Sequence, residues 1–194
     1  MTPGRVSRPR RDPRREALLA SLEMPRILAA LALVAVAAAV AGCAGLGGGD
    51  DVSLVPEGDR SPAPAFRVER LDGSGELSLA DYPGTPVVLN FWASWCEPCQ
   101  EEMPALVEFS EEATGVQVVG LAVTDVPADS RAFAREAGAD FPLGIDRRGD
   151  TIAKFGATGL PVTVFVDDEG RIAQTAYGGL TRQQFEAYAE ALGA

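Results

Sequence analysis

Asn90-Phe91-Trp92-Ala93-Ser94-Trp95-Cys96-Glu97-Pro98-Cys99 is the stretch that decides how this 194-residue chain folds. It continues Val87-Val88-Leu89, so Val87 to Trp92 is a mostly apolar run of the kind found in buried parallel strands. Beyond it, Glu97 to about Ala113 suits a helix, with Met103, Leu106, Val107 and Phe109 at its apolar positions. The two cysteines therefore stand where a buried strand turns into a helix, and that context marks a C-x-x-C as a redox motif. Cysteines at this spacing can reach disulfide geometry. The first lies among the unpaired N–H groups of the helix start, at the positive end of the macrodipole, and both favour its thiolate. Pro98 fits the first turn, where its missing N–H costs nothing. Cys96 is thus the candidate nucleophile, attacking a substrate disulfide, and Cys99, deeper on the helix, the resolving thiol.

Working outward, Phe66 to Arg70 and Glu76 to Leu79 suggest short strands around Asp72-Gly73-Ser74-Gly75. Val116 to Val123 is a second buried strand, and Asp129 and Ser130 can cap a helix that runs to Gly138. Phe141 to Ile145 suits a short strand, and Asp150 to Phe155 a short helix closed by Gly156. Val162 to Val166 and Arg171 to Ala176 form a hairpin across Asp167-Asp168-Glu169-Gly170, and Thr181 caps a last helix to Leu192. The fold class is α/β, with a mixed sheet between helices.

Composition narrows the chemistry. There is no histidine, which removes the commonest general base, Cys/His pairs and most zinc sites. A third cysteine, Cys43, is all that remains to complete a metal site with Cys96 and Cys99, so no metal is expected. A copper site would recruit histidine or methionine, and Met103 is better explained as core. A purely structural disulfide closing so short a loop would stabilise little. The net charge of −11 argues against a nucleic-acid partner.

That charge is unevenly spread. Residues 1–42 carry a net +4 and residues 43–194 a net −15. Ile27 to Ala41 is an unbroken apolar run, short for a membrane span, basic before and small-residue after, which is the pattern of an export signal. Residues 1–42 are thus expected to be a leader and 43–64 a tether. Residues 65–194 are expected to be the folded domain. A compact signal begins at Met24, which suggests translation starting there; a twin-arginine signal using Arg14-Arg15 is the weaker rival. The tether contains Gly47 to Gly49 and three prolines, and has too few large apolar residues for a core.

Two resemblances follow. Val40-Ala41-Gly42-Cys43 resembles the bacterial lipoprotein signal, which implies a diacylglyceryl anchor on Cys43; the competing reading is an uncleaved anchor helix with an incidental cysteine. Asn90 to Cys99 resembles thioredoxin-fold proteins, more narrowly the membrane-tethered extracytoplasmic thioredoxins of the ResA/TlpA type, within the redoxin (AhpC/TSA-like) superfamily. The likeness extends over most of residues 65–194. Pro104 matches the kink proline of the active-site helix and Glu102 a glutamate common in the subfamily. Gly159-Leu160-Pro161-Val162-Thr163 resembles the cis-proline segment. Asp125 to Gly149 fits the central βα insertion, and the strands before Val87 an N-terminal β extension.

The resemblance implies that Pro161 faces Cys96, that the Leu160 backbone pairs with a substrate strand, and that Trp95, Glu97 and Pro98 help form the substrate surface. It implies no cofactor beyond the Cys96–Cys99 disulfide. Its partners are disulfide-bearing clients such as apocytochrome c and a membrane thiol donor of the CcdA/DsbD type. The expected protein is a monomer on the outer face of a bacterial cytoplasmic membrane. Asn90 departs from plain thioredoxin, which has a buried aspartate there, and Val162 replaces the usual threonine. Glu102 has two readings: an acid–base group that replaces the missing aspartate, or a solvated helix carboxylate. Trp92 is expected in the core.

The acids Glu97, Glu101 and Glu102 oppose thiolate formation, which favours a reductant. Two other functions stay open. A peroxiredoxin would need Thr or Ser at 93 and Pro at 89, where this chain has Ala93 and Leu89. A non-enzymatic binding or metallochaperone module would not need an intact Cys96, Cys99 and Pro161.

Overall fold

The computed structural model describes residues 52–193. The leader, Met24, the apolar run and Cys43 lie outside the described residues. The elements are β1 (Val68–Arg70), β2 (Glu76–Leu77), β3 (Val87–Trp92), α1 (Glu97–Glu112), β4 (Gln117–Val123) and α2 (Pro127–Ala137). They continue with β5 (Leu143–Asp146), α3 (Asp150–Lys154), β6 (Val162–Val166), β7 (Ile172–Tyr177) and α4 (Arg182–Ala191). One seven-stranded mixed sheet runs β2-β1-β5-β4-β3-β6-β7. β3, β4 and β5 are parallel, and the other pairings are antiparallel. This is the α/β thioredoxin-like architecture expected.

β3 is central because both of its faces are apolar, and all six residues are buried. Val88 and Trp92 face a core with Met103, Leu106 and Phe109 of α1 and Phe185 of α4. Val87, Leu89 and Phe91 face the opposite core with Phe66, Ile152 and Phe155. Each such side chain contributes about 1.5–3 kcal/mol on burial, so β3 anchors the strand-to-helix turn that carries the cysteines. Asn90 has the same parity as Val88 and Trp92, which puts a polar side chain on the α1 face of this apolar strand.

Several boundaries differ from the sequence expectation. The strand expected at Phe66 begins at Val68. The one expected to reach Leu79 ends at Leu77, because Ser78 caps a short 3-10 turn over Leu79–Asp81. The strand expected from Phe141 begins at Leu143. α2 begins at Pro127, not at a cap formed by Asp129 or Ser130: Val126 occupies the cap position without a side-chain bond, and proline presets the first turn.

The larger correction concerns the tether. Within 43–64, the described residues from Val52 onward are not a free linker; they lie along edge strand β7. Val55 N–H donates to Ala173 O at 2.8 Å, Ile172 N–H to Ser61 O at 2.8 Å and Ala63 N–H to Gly170 O at 2.9 Å. Arg60 pairs with the buried Asp167 at 3.1 Å. Composition missed this because an edge strand needs backbone partners rather than large apolar side chains.

Candidate active site

The redox pair sits at the C-terminal end of β3. Cys96 is the N-cap of α1, and its Sγ accepts from Cys99 N–H at 3.3 Å. The two are joined in a disulfide, S–S 2.08 Å. Cys96 is 5% exposed and Cys99 1%. A mostly apolar groove reaches Cys96 but not Cys99, and Trp95, Pro98, Ile152, Gly159 and Leu160 are among its walls. Trp95 is 61% exposed, standing as a lip beside the cysteine, whereas Trp92 is fully buried. Glu97 and Pro98 face solvent on the first turn of α1, and Pro104 lies inside the helix.

The Leu160–Pro161 peptide is cis. Pro161 O accepts from Gly178 N–H at 3.0 Å, which joins this segment to the end of β7. Among the described residues, neither the N–H nor the carbonyl of Leu160 has a backbone partner. An unpaired backbone edge therefore borders the groove next to Cys96.

Glu102 is not a solvated helix carboxylate. It is 4% exposed. Its Oε1 accepts from Leu180 N–H at 2.9 Å and its Oε2 from Asn90 Nδ2 at 3.0 Å. Burial raises its pKa above the ordinary carboxylate value, and the bonds from Leu180 and Asn90 pull the other way without cancelling it. Glu102 lies one turn beyond Cys99, on the same side of α1. A buried carboxyl with a raised pKa at that distance along a helix is suited to exchanging a proton with the inner thiol.

One group went unnoticed in the sequence. Asp125, just beyond the C-terminal end of β4, binds the loop that leads into Cys96. Its Oδ2 accepts from Ser94 N–H at 2.7 Å and its Oδ1 from the Ser94 hydroxyl at 2.9 Å. Ser130 Oγ on α2 donates to the same carboxylate at 2.8 Å. Gln100 Nε2 donates to Ser94 O at 2.6 Å, so Ser94 is held from both sides. Next to Asp125, Thr124 has φ +47°, an outlier for a β-branched residue. The usable signal was positional: residues just past the carboxyl ends of parallel strands line functional crevices.

Comparison with known proteins matches residues 60–175 to the AhpC/TSA family. The chain belongs to that family. Within the AhpC/TSA family it is a ResA-like thiol-disulfide oxidoreductase. The thiol-disulfide oxidoreductase ResA of Geobacillus thermodenitrificans is 33% identical over 134 residues, 68% of this chain and 76% of that one. ResA of Bacillus anthracis is 33% identical over 128 residues, 65% of this chain and 73% of that one. The crystal structure of a DsbF homologue from Corynebacterium diphtheriae superposes with a TM-score of 0.66 at 31% identity, covering 75% of this chain and 95% of that one. A secreted thiol-disulfide isomerase from Corynebacterium glutamicum superposes with a TM-score of 0.67 at 26% identity, covering 76% and 93%. The enzymatic character of this AhpC/TSA member is therefore thiol-disulfide exchange.

Proposed function

We propose that this enzyme is an extracytoplasmic, lipid-anchored reductant of client protein disulfides. The observation that carries the reading is the asymmetry of the pair: the groove and the unpaired Leu160 edge meet Cys96, while Cys99 and Glu102 are sealed behind it. A client strand pairs with Leu160 beside Pro161, with Trp95, Glu97 and Pro98 at its flank. Reduced Cys96 attacks the client disulfide as thiolate; the client S–S bond breaks, one client sulfur leaves as thiolate and the other stays bonded to Cys96 in a mixed disulfide. Cys99 then attacks Cys96 Sγ, its proton passing to Glu102, and the client sulfur leaves as thiolate. The enzyme is left oxidised at Cys96–Cys99 and is returned to the dithiol by a membrane thiol donor of the CcdA/DsbD type. Cys43 carries the lipid. Apocytochrome c before haem attachment is a client of suitable chemistry. The protein works as a monomer without a further cofactor.

Glu97 and Glu101 are exposed on the first turns of α1 and oppose the thiolate at its N-terminus, which favours a weak oxidant. The expected reduction potential is nearer the roughly −270 mV of thioredoxin than the roughly −120 mV of DsbA. A value near or above about −150 mV defeats the reducing direction. The C. glutamicum neighbour's name favours a second reading, disulfide isomerisation; reactivation of a scrambled-disulfide protein with no net consumption of reductant would mark it. Peroxidase chemistry is disfavoured by Ala93 and Leu89, both buried and apolar.

The decisive experiment is trapping. Cys99→Ser should accumulate mixed disulfides with clients in cells, and Cys96→Ser should not. If neither variant traps a protein, the client-reductase reading fails. Radiolabelled palmitate on wild type but not on Cys43→Ser tests the anchor.

A further inference from the structure

Asn90 of β3 and Thr163 of β6 are register partners in the sheet, and both are wholly buried. Asn90 Nδ2 donates to Thr163 Oγ1 at 2.9 Å and to Glu102 Oε2 at 3.0 Å. At the other end of the same amide, Oδ1 is buried with no partner among the described residues. A buried amide engaged twice at one end and not at all at the other calls for an explanation. Both of its partners can reverse their roles. A hydroxyl donates as readily as it accepts, and a carboxyl donates once it is protonated. The two ends of an amide have nearly the same shape, so a half-turn fits the same space.

We infer that Asn90 is a positioning residue whose side-chain amide turns over with the proton on Glu102, holding that carboxyl in one place in both charge states. With Glu102 ionised, Nδ2 donates to the carboxylate and to Thr163. With Glu102 protonated, Oδ1 takes the place of Nδ2 and accepts from the carboxyl O–H and the Thr163 hydroxyl. Leu180 N–H bonds Oε1 in both states, so the carboxyl itself stays put. The inference rests on Glu102 acting as the proton acceptor of the resolving step. In that step Cys99–SH gives its proton to Glu102, the Cys99–Cys96 bond forms, the Cys96–client bond breaks, and the client sulfur leaves with the electron pair. The amide turns as the new O–H appears.

Glu102 bonds Asn90 of β3 and the Leu180 amide ahead of α4, Cys99 precedes it by one turn on its own helix, and among the described residues no charged side chain contributes to its shift. Glu97 and Glu101 on the same helix face solvent. Asparagine suits position 90 where aspartate would not, since a second buried acid would contend with Glu102 for the proton.

The test is an NMR titration of the reduced full chain, labelled with ¹³C at glutamate carboxyls and ¹⁵N at asparagine side chains. Glu102 is identified by the signal lost in Glu102→Gln. The expected result is a cross-peak between the Asn90 NH₂ protons and Thr163 on the alkaline side. It disappears on the acid side, with the same midpoint as the Glu102 carboxyl. In Glu102→Gln that cross-peak should not respond to pH. If Glu102 titrates while the cross-peak persists throughout, the amide is a fixed donor and the inference fails, although the acid–base reading stands. If Glu102 does not titrate at all, both fall.

Discussion

Ser94 and Asp125 are joined twice, through the Ser94 N–H at 2.7 Å and its hydroxyl at 2.9 Å, and this clamp ties the loop ahead of Cys96 to the end of β4. Removing the carboxylate leaves the two part-buried donors of Ser94 without that partner, while the Ser130 hydroxyl keeps the Val126 carbonyl. Asp125→Ala should therefore lower unfolding free energy by about 2 kcal/mol, each unmet group costing about 1–3 kcal/mol. Asp125→Asn, which keeps one acceptor oxygen, should recover about half. Urea unfolding measures both, and a loss under about 0.5 kcal/mol for the alanine variant would show that the clamp does not hold the loop.

Glu102 should leave its mark on the pH profile. Its carboxyl accepts a proton only when ionised, and burial raises the pKa, so the rate of mixed-disulfide resolution should fall on an acid limb set above the ordinary carboxylate range. Glu102→Gln should lose that limb and resolve roughly 100-fold more slowly at neutral pH. Stopped-flow measurement across pH checks it; an unchanged profile removes Glu102 from the mechanism.

The same shift has a stability consequence. A carboxyl with a raised folded-state pKa binds its proton more tightly when folded. Its contribution is complete below the unfolded value and is lost as pH rises through the folded one. Wild type should lose stability over that window relative to Glu102→Gln. Denaturant midpoints at matched pH values would show it, and parallel curves would contradict it.

Asp167 carries the opposite sign. Desolvation pushes its pKa up, but the Arg171 N–H and the Arg60 and Arg171 guanidinium groups outweigh that and hold it below the usual value. Its stabilisation is present above the unfolded value and lost as pH falls through the folded one. Arg60→Ala should leave the buried carboxylate short of a partner and loosen residues 52–63 from β7. Limited proteolysis should then cut within 52–63 faster in Arg60→Ala at neutral pH, and faster in wild type on acidification. Equal cutting rates in the two proteins would count against the Arg60–Asp167 pair as the fastener.

Trp95 buries little within its own chain. Trp95→Ala should change stability by no more than about 0.5 kcal/mol. It should weaken client binding by about 2 kcal/mol, roughly thirtyfold in KM, as truncation of an aromatic anchor does. A stability loss with unchanged KM would make it a structural residue.

Much of this molecule is written locally. The apolar run of β3, the cysteines at a helix start and Pro98 in its first turn are short-range patterns, because strand burial, N-terminal dipole and proline geometry act within a few residues. The resemblance of Gly159 to Thr163 was enough to mark the cis-proline segment, and the peptide before Pro161 is cis. Only tertiary structure decided the rest. Glu102 is solvated or buried according to whether Leu180, 78 residues away, closes over it. Asp125 is an ordinary loop acid until β3 and β4 pair and bring Ser94, 31 residues upstream, within reach. Residues 52–63 resemble a linker by composition and become ordered only because β7 presents an open edge. The division has one physical cause: propensity and helix-end electrostatics are properties of neighbours in the chain, whereas desolvation and hydrogen-bond satisfaction depend on which distant segment the fold places alongside.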